Sequence, residues 1–149
     1  MTGDLILGSW ADCEALAAPL RHAVFVEEQG VPAELEWDAD DVSCLHAVLL
    51  ADDGSAAATG RLLPVFEEGE DRGLCRIGRM AVRRPLRGRG HGARVLDALI
   101  GASRSRGDSG VVLHAQTAAQ GFYAGRGFAI RGEIFDEAGI PHIEMVLRF

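Results

Sequence analysis

Three glycines at alternate positions stand among arginines in the stretch "RPLRGRGHGARVLDALI", residues 84–100. Glycine lets the backbone approach a bulky group closely, and the guanidinium of arginine pairs well with phosphates and carboxylates. After Gly92 the apolar residues recur at three- and four-residue spacing, which predicts a helix. The first amide N–H groups of a helix have no backbone partner, so a glycine-rich turn at that point can hold a phosphate. The structural alternative is a glycine turn with a solvated arginine face.

The type of phosphate ligand is narrowed by what the stretch lacks. A P-loop needs Gly-Lys followed by Ser or Thr, and the chain contains no lysine. Gly88, Gly90 and Ala93 meet the dinucleotide fingerprint only loosely, because the strands before them form a hairpin and do not open a Rossmann domain. Nucleic acid would suit the arginines, but few aromatic residues accompany them.

The charges are divided unevenly along the chain, whose net charge is −7. Residues 1–71 carry sixteen acidic and two basic residues, whereas residues 72–106 carry ten arginines and one acidic residue. The apolar fraction of 48% and the charged fraction of 25% are typical of a globular protein. A length of 149 residues suits a single domain spanning 1–149.

The elements that must position the glycine stretch alternate between strands and helices. We predict, in order, a strand at 4–10, a helix opened by Asp12 as N-cap and closed by Gly30, a hairpin at 44–66 and a strand at 74–82. The glycine loop, its helix, a strand at 110–116, a brief helix closed by Gly127 and two strands up to 149 follow. A hairpin sheet followed by one βαβ unit predicts an α/β fold with a mixed sheet.

Cysteines and apolar runs bear on the compartment. Cys13, Cys44 and Cys75 are odd in number and evenly separated, which fits neither a disulfide framework nor a zinc site. Buried, reduced thiols in a cytoplasmic protein are therefore expected. The first 16 residues show no basic region ahead of an apolar stretch, so we predict no signal peptide. No apolar run is long enough for a membrane span.

Four segments in order resemble one family. The strand "IGRMAV" followed by Arg87-x-x-Gly90-x-Gly92 resembles the acyl-CoA-binding motif of the GNAT N-acetyltransferases, and "AQGFYAGRGF" resembles that family's second signature. "HAVFVEEQGVP" and "GIPHIEM" are similar to the ElaA-like branch in particular. The resemblance covers nearly the whole chain. It implies the GNAT acyl-CoA N-acyltransferase fold, with a mixed central sheet of about seven strands and helices on both faces.

The resemblance also implies where acetyl-CoA, the co-substrate, binds. In the family two parallel strands splay apart, the pantetheine arm fills the gap, and the loop holds the pyrophosphate. The cofactor-binding residues expected on this basis are Met80, Ala81, Val82, Arg87, Gly88, Arg89, Gly90, His91, Gly92, Ala93, Gln116 and Phe122. Gln116 stands where many relatives carry Asn.

A direct attack of a primary amine on the thioester, through a tetrahedral intermediate, is the implied reaction. Tyr123, the only tyrosine of the chain, matches the general acid that protonates the leaving thiolate. The general base is open: His114 is our first candidate, and His46, His142 and Glu28 are the others. A packing role is the alternative for each.

The acidic stretch 27–41 lies where the family's acceptor loop falls. We expect Glu28, Glu34, Glu36 and Trp37 to contact a small-molecule or peptide amine, and the carboxylates could attract a cationic one. A solvated polar loop is the alternative.

Other functions stay open at this level. An idle acyl-CoA-binding or sensing module is the main alternative to an enzyme, and an RNA-binding protein is a third. We predict no nucleic-acid or membrane partner and leave a homodimer open. No His, Cys or carboxylate cluster has ligand spacing, so no metal is expected.

Overall fold

One mixed sheet of seven strands runs through residues 3–149, the part of the chain that the computed structural model describes. The strands are β1 Leu5–Gly8, β2 Leu45–Leu50, β3 Ala56–Leu62, β4 Leu74–Val82, β5 Gly110–Gln116, β6 Ala129–Glu137 and β7 Ile140–Arg148. Their order is β1-β2-β3-β4-β5-β7-β6. Only β4 and β5 pair in parallel; the other neighbours are antiparallel. The predicted mixed α/β sheet is confirmed.

Helices connect and cover the strands. The α-helices are α1 Trp10–Arg21, α2 Ala33–Glu36, α3 His91–Arg106 and α4 Gln120–Ala124. A π-helical segment, His22–Glu28, continues α1, and short 3₁₀ turns lie at Ala39–Ser43, Arg84–Leu86 and Thr117–Ala119. The α3 crossover joins the two parallel strands, as a βαβ unit requires.

The start of α1 corrects one prediction. Ser9, not Asp12, is the N-cap: its hydroxyl accepts from the Asp12 amide, and the Asp12 carboxylate accepts from the Ser9 amide. This is a capping box, in which the acidic residue stands at the third helical position. The predicted cap was wrong because Asp12 fills a different position of the same motif.

The two long helices lie on opposite faces of the sheet. Along β2, Ala47 and Leu49 pack into the cluster that contains α3, whereas Val48 packs into the cluster that contains α1. Successive side chains of a strand point to opposite faces, so this division places the helices on both sides. Helices therefore cover both faces of the sheet at the point where the glycine loop leaves β4.

The three cysteines are free and buried, as predicted. Within residues 3–149, none of the helices is both long and apolar enough to cross a membrane. Of the segment considered for a signal peptide, residues 1–2 lie outside the described part of the chain.

Candidate functional site

The parallel strands β4 and β5 separate after a short stretch of pairing. They pair at Leu74↔Gly110, Cys75↔Val111 and Arg76↔Val112. Beyond that point β5 stays paired with β7, its partner along the whole strand, and β4 stays paired with β3. The facing edges therefore offer unpaired backbone donors and acceptors, which an extended ligand can use as a strand would.

A bulge in β4 accompanies the separation. Two residues, Arg79 and Met80, stand opposite Gly60 of β3, and Arg79 has a φ of 52°. A side chain at Gly60 would begin 2.5 Å from the Met80 sulfur, so any larger residue there would displace the Met80 side chain. A bulge increases the local twist and bends its strand. The bend belongs to the strand that diverges from β5.

The separated strands line a cavity of about 1130 Å³. Its walls include all six β4 residues from Ile77 to Val82 and, from β5, Leu113, His114 and Gln116. The glycine loop, α4, the β6–β7 turn and parts of the segment 24–40 also line it. The topology thus brings the predicted cofactor residues of four separate segments to one cavity.

The glycine loop reaches the cavity at the start of α3. Gly88 and Gly90 both have a φ of 80°, and a side chain at either would meet nothing within 4 Å. Gly90 is the N-cap and provides no side-chain cap, so the first helical amides are left for another acceptor. Gly92 differs: a Cβ there would lie 3.3 Å from Val82, so this glycine permits close packing of helix and strand.

The loop arginines differ in their partners. Arg87 forms a bidentate ion pair with Glu28, with N–O distances of 2.6 and 2.8 Å, and its Nε donates to the Val82 carbonyl. This pairing lowers the pKa of Glu28. Arg89 is exposed, and His91 and Ala93 line the cavity. Glu28, expected to contact an amine, instead contacts the glycine loop and is not among the residues that line the cavity.

Tyr123 lies on α4 with its side chain at the cavity and only 8% of the residue exposed. Phe122 and Phe128 pack edge-on against its ring. Burial raises the pKa of the phenol to about 12. The hydroxyl thus keeps its proton at neutral pH, which is the state that a general acid needs.

Gln116 spans part of the cavity from the end of β5. Its amide nitrogen donates to the side-chain oxygen of Gln29 at 2.9 Å, and both residues line the cavity. The contact joins the sheet to the segment that follows α1. Its predicted contact with the cofactor stays a prediction.

The acidic segment is largely paired with arginines. Arg21 contacts Glu36 and Asp41, while Arg61 contacts Asp38 and Asp41. Hydrogen bonding with Arg61 lowers the pKa of Asp38 to about 2. These carboxylates are compensated by partners of the chain itself, so less of their charge is free to attract a substrate. Their role in drawing a cationic amine stays a prediction.

The remaining acceptor candidates are divided between the cavity wall and the exposed surface. Glu36 lines the cavity, but Glu34 and Trp37 are not among its lining residues, and Trp37 is 64% exposed. His46 is buried, packs at a tilt against the Trp10 ring and contacts the Asp41 carbonyl. Among the base candidates, His114 and His142 line the cavity.

Replacing Asp41 should destabilise the fold. Asp41 is 1% exposed and is held by the buried Arg21 and Arg61, so Asp41→Asn leaves two buried cations short of a counter-charge. We expect a loss of about 3 kcal/mol in unfolding free energy, measured by urea denaturation. Asp97→Asn, whose side chain is exposed, is the control and should change little. Equal unfolding free energies of the two variants would contradict a structural role for Asp41 between Arg21 and Arg61.

The same aspartates set the acid limit of stability. The folded pKa values of Asp38 and Asp41 are both lowered. A carboxyl whose pKa is lower in the folded than in the unfolded state stabilises the fold at any pH above its unfolded pKa of about 3.9. This stabilisation is lost as the pH falls through the folded pKa. The loss of wild-type stability between about pH 4 and 2 should therefore be smaller in Asp41→Asn.

Sequence reasoning missed Glu137. It lies at the end of β6 opposite Ile140, lines the cavity, and approaches both His114 and His142. The turn around Gly139, which has a φ of 78°, folds Glu137 back over β7. The hairpin signal was present in "DEAGIPH", and counting back across the turn would have found the residue.

Comparisons with known proteins agree with this geometry. The family model described as an acetyltransferase (GNAT) domain matches residues 44–149. The chain belongs to the GNAT acetyltransferase family. It is 36% identical to the uncharacterized N-acetyltransferase YjcF of Bacillus subtilis over 85% of this chain and 86% of that protein.

Two solved structures share the fold along nearly their full length. An acyl-CoA N-acyltransferase from Pseudomonas aeruginosa superposes with a TM-score of 0.83 and 32% identity, covering 97% of this chain and 99% of its own. Escherichia coli ElaA gives a TM-score of 0.84 and 28% identity, covering 97% and 98%. The predicted GNAT fold and its ElaA-like character are confirmed. The fold binds acyl-CoA and serves N-acyl transfer to amines.

Proposed function

We propose that this GNAT protein transfers the acetyl group of acetyl-CoA directly to a primary amine, with residues 1–149 acting as one catalytic domain. The observation that carries the proposal is the separation of β4 and β5 beside an uncapped helix start. The gap offers an unpaired strand edge. The loop at its end offers the uncapped first amides of α3 and the guanidinium groups of its arginines. A ligand with an extended amide-bearing arm and a pyrophosphate needs both features.

The donor site follows from these residues. The edge formed by Met80, Ala81 and Val82 would pair with the pantetheine arm. Gly88 and Gly90 leave open space in which a pyrophosphate can approach the first amides of α3. Arg87 and Arg89 would add charge-assisted hydrogen bonds, and Phe122 lines the wall beside them. Bound acetyl-CoA supplies the thioester carbonyl that the amine attacks.

Tyr123 is the proton donor of the proposal. Its buried phenol is protonated at neutral pH, with a pKa of about 12, and it faces the cavity. It would give this proton to the thiolate as the thiolate leaves. The nearby carboxylates Asp40 and Glu137 line the same cavity and suit an ammonium group as the acceptor.

A screen of primary amines tests the proposal. Acetyl-CoA is incubated with the protein and benzylamine, histamine, cadaverine or a lysine-containing peptide, and released thiol is measured. We expect thiol only when acetyl-CoA, protein and an amine are all present. Tight CoA binding without thiol release from any of them would contradict the proposal and favour an idle acyl-CoA-binding module.

Glu28 should weaken the binding of CoA, because its ion pair engages the Arg87 guanidinium that the pyrophosphate would contact. Glu28→Gln removes one charge of a partly exposed pair, so CoA affinity should rise about two- to fivefold, measured by titration calorimetry. Glu27→Gln makes the same charge change at a neighbouring position whose partner is His22. Equal affinities of the two variants would mean that the Glu28–Arg87 pair does not compete with CoA.

A further inference from the structure

Two histidines of the cavity wall share one carboxylate. Glu137 Oε1 lies 3.3 Å from His114 Nδ1, and Glu137 Oε2 lies 3.5 Å from His142 Nε2. Phe135 packs against both imidazoles. All three polar residues line the cavity beside the gap between β4 and β5. Their hydrogen bonds determine which imidazole can accept a proton.

The lone pair of His114 is already engaged. Arg76 approaches Nδ1 at 2.7 Å through a guanidinium nitrogen, which can only donate. Nδ1 is therefore the acceptor, and the longer approach of Glu137 Oε1 to the same nitrogen, at 3.3 Å, carries no proton in this tautomer. The ring proton lies on Nε2, which faces Glu144 Oε2 at 3.4 Å. Protonating Nδ1 would set an N–H against an N–H of Arg76. In this tautomer neither ring nitrogen of His114 offers a free lone pair to a substrate.

The hydrogen bonds of His142 are arranged in the opposite way. Nδ1 lies 2.7 Å from the Ile140 carbonyl, which can only accept, so Nδ1 carries the ring proton. Nε2 then keeps its lone pair. Within residues 3–149 its polar neighbour is the Glu137 carboxylate, which is an acceptor when ionised and leaves that lone pair free. The motif "GIPHIEM" thus sets the tautomer through its own backbone.

We propose that His142 is the general base of the transferase and that Glu137 draws the ammonium group of the substrate to it; this rests on the proposed function. Both residues line the cavity and Glu137 Oε2 lies 3.5 Å from His142 Nε2, so one ammonium can contact both atoms. Four further charged or titratable groups surround them: His114 and Arg76 adjoin Glu137, and Glu144 lies between His114 and Arg131. Arg131 is also held by Asp71.

The proton step is balanced within these residues. One N–H bond of the substrate ammonium breaks, its electron pair stays on the amine nitrogen, and a new N–H bond forms at His142 Nε2. The freed lone pair attacks the thioester carbonyl. The imidazolium is stabilised by Glu137 and afterwards releases its proton to water. The attacking nitrogen loses a second proton as the amide forms. Water carries this proton to the Tyr123 phenolate, which restores the phenol that protonated the thiolate.

The kinetic test separates a base from a packing residue. His142→Asn keeps an amide N–H where Nδ1 donates to Ile140 and removes the basic nitrogen. With benzylamine, which is charged at neutral pH, kcat/KM should fall about 100-fold. With trifluoroethylamine, which is largely uncharged there, the loss should nearly vanish, because no proton must be removed before attack. The matched variant His114→Asn should lose less than about tenfold with either amine. Equal losses of His142→Asn with both amines would overturn the proposal.

A second readout needs no acceptor. Long-range proton–nitrogen correlation spectra of histidine-labelled protein report which ring nitrogen carries the proton in each imidazole. We expect the Nδ1–H form at His142 and the Nε2–H form at His114. The Nε2–H form at His142 would overturn the proposal even if the enzyme is active. If the spectra agree but wild-type protein releases no thiol with any amine, the proposed function has failed and the tautomer assignment stands.

Discussion

Gly90→Val should abolish CoA binding while the protein stays folded. Gly90 caps α3 with a φ of 80° and open space around it. Valine is disfavoured in that conformation, and its side chain would fill the space through which a pyrophosphate reaches the helix amides. Each charge-assisted hydrogen bond contributes about 1.5–3 kcal/mol. Losing two of them corresponds to an affinity loss of about 100-fold or more, measured by titration calorimetry.

Gly54→Val is the matched control for this substitution. Gly54 has a φ of 83°, also meets nothing within 4 Å, and lies in the β2–β3 turn, away from the cavity. Valine is placed at a similar positive φ in both variants, so only Gly90→Val should lose CoA. A folded Gly90→Val protein with wild-type affinity would remove the glycine loop from the donor site.

Tyr123→Phe should lower turnover by about 100- to 10,000-fold, the range usual for general acid catalysis. The variant removes one hydroxyl and keeps the ring that packs between Phe122 and Phe128. CoA affinity should therefore stay at the wild-type value. Single-turnover measurement with benzylamine isolates the chemical step, so that slow product release does not hide the effect.

Phe128→Leu provides the control for packing. Phe128 is buried beneath the Tyr123 ring, and leucine there loosens the ring but leaves its hydroxyl. We expect a much smaller loss of turnover than in Tyr123→Phe. If the two variants lose turnover equally, or if Tyr123→Phe keeps wild-type turnover in the chemical step, Tyr123 is a packing residue.

The parts of this fold that local chemistry determines were predictable from the sequence. The strand at 110–116 and the strand at 74–82 match the observed bounds of β5 and β4. Both are short apolar runs closed by turn residues, and the glycine loop separates β4 from α3. The glycine loop was recognisable because its residues lie within one stretch of the chain.

The parts that depend on distant partners were not predictable in this way. The Glu28–Arg87 pair joins residues 59 positions apart, and the Asp41–Arg61 pair joins residues 20 apart. Composition showed an acidic half and a basic segment, but not that Arg21, Arg61 and Arg79 lie against the acidic stretch. The roles proposed for His114 and His142 also differ because of their hydrogen-bond partners, and the sequence does not reveal these partners.

Transfer of an isotopic label tests the central claim most directly. The protein is incubated with benzylamine and with acetyl-CoA that carries two carbon-13 atoms in its acetyl group. The masses of the amine product and of the protein are then measured by mass spectrometry. The account predicts labelled N-acetylbenzylamine in equal amount to the CoA thiol released, with no label retained on the protein. Bound CoA without any labelled amide, or a labelled acetyl group held covalently by the protein, would contradict direct transfer.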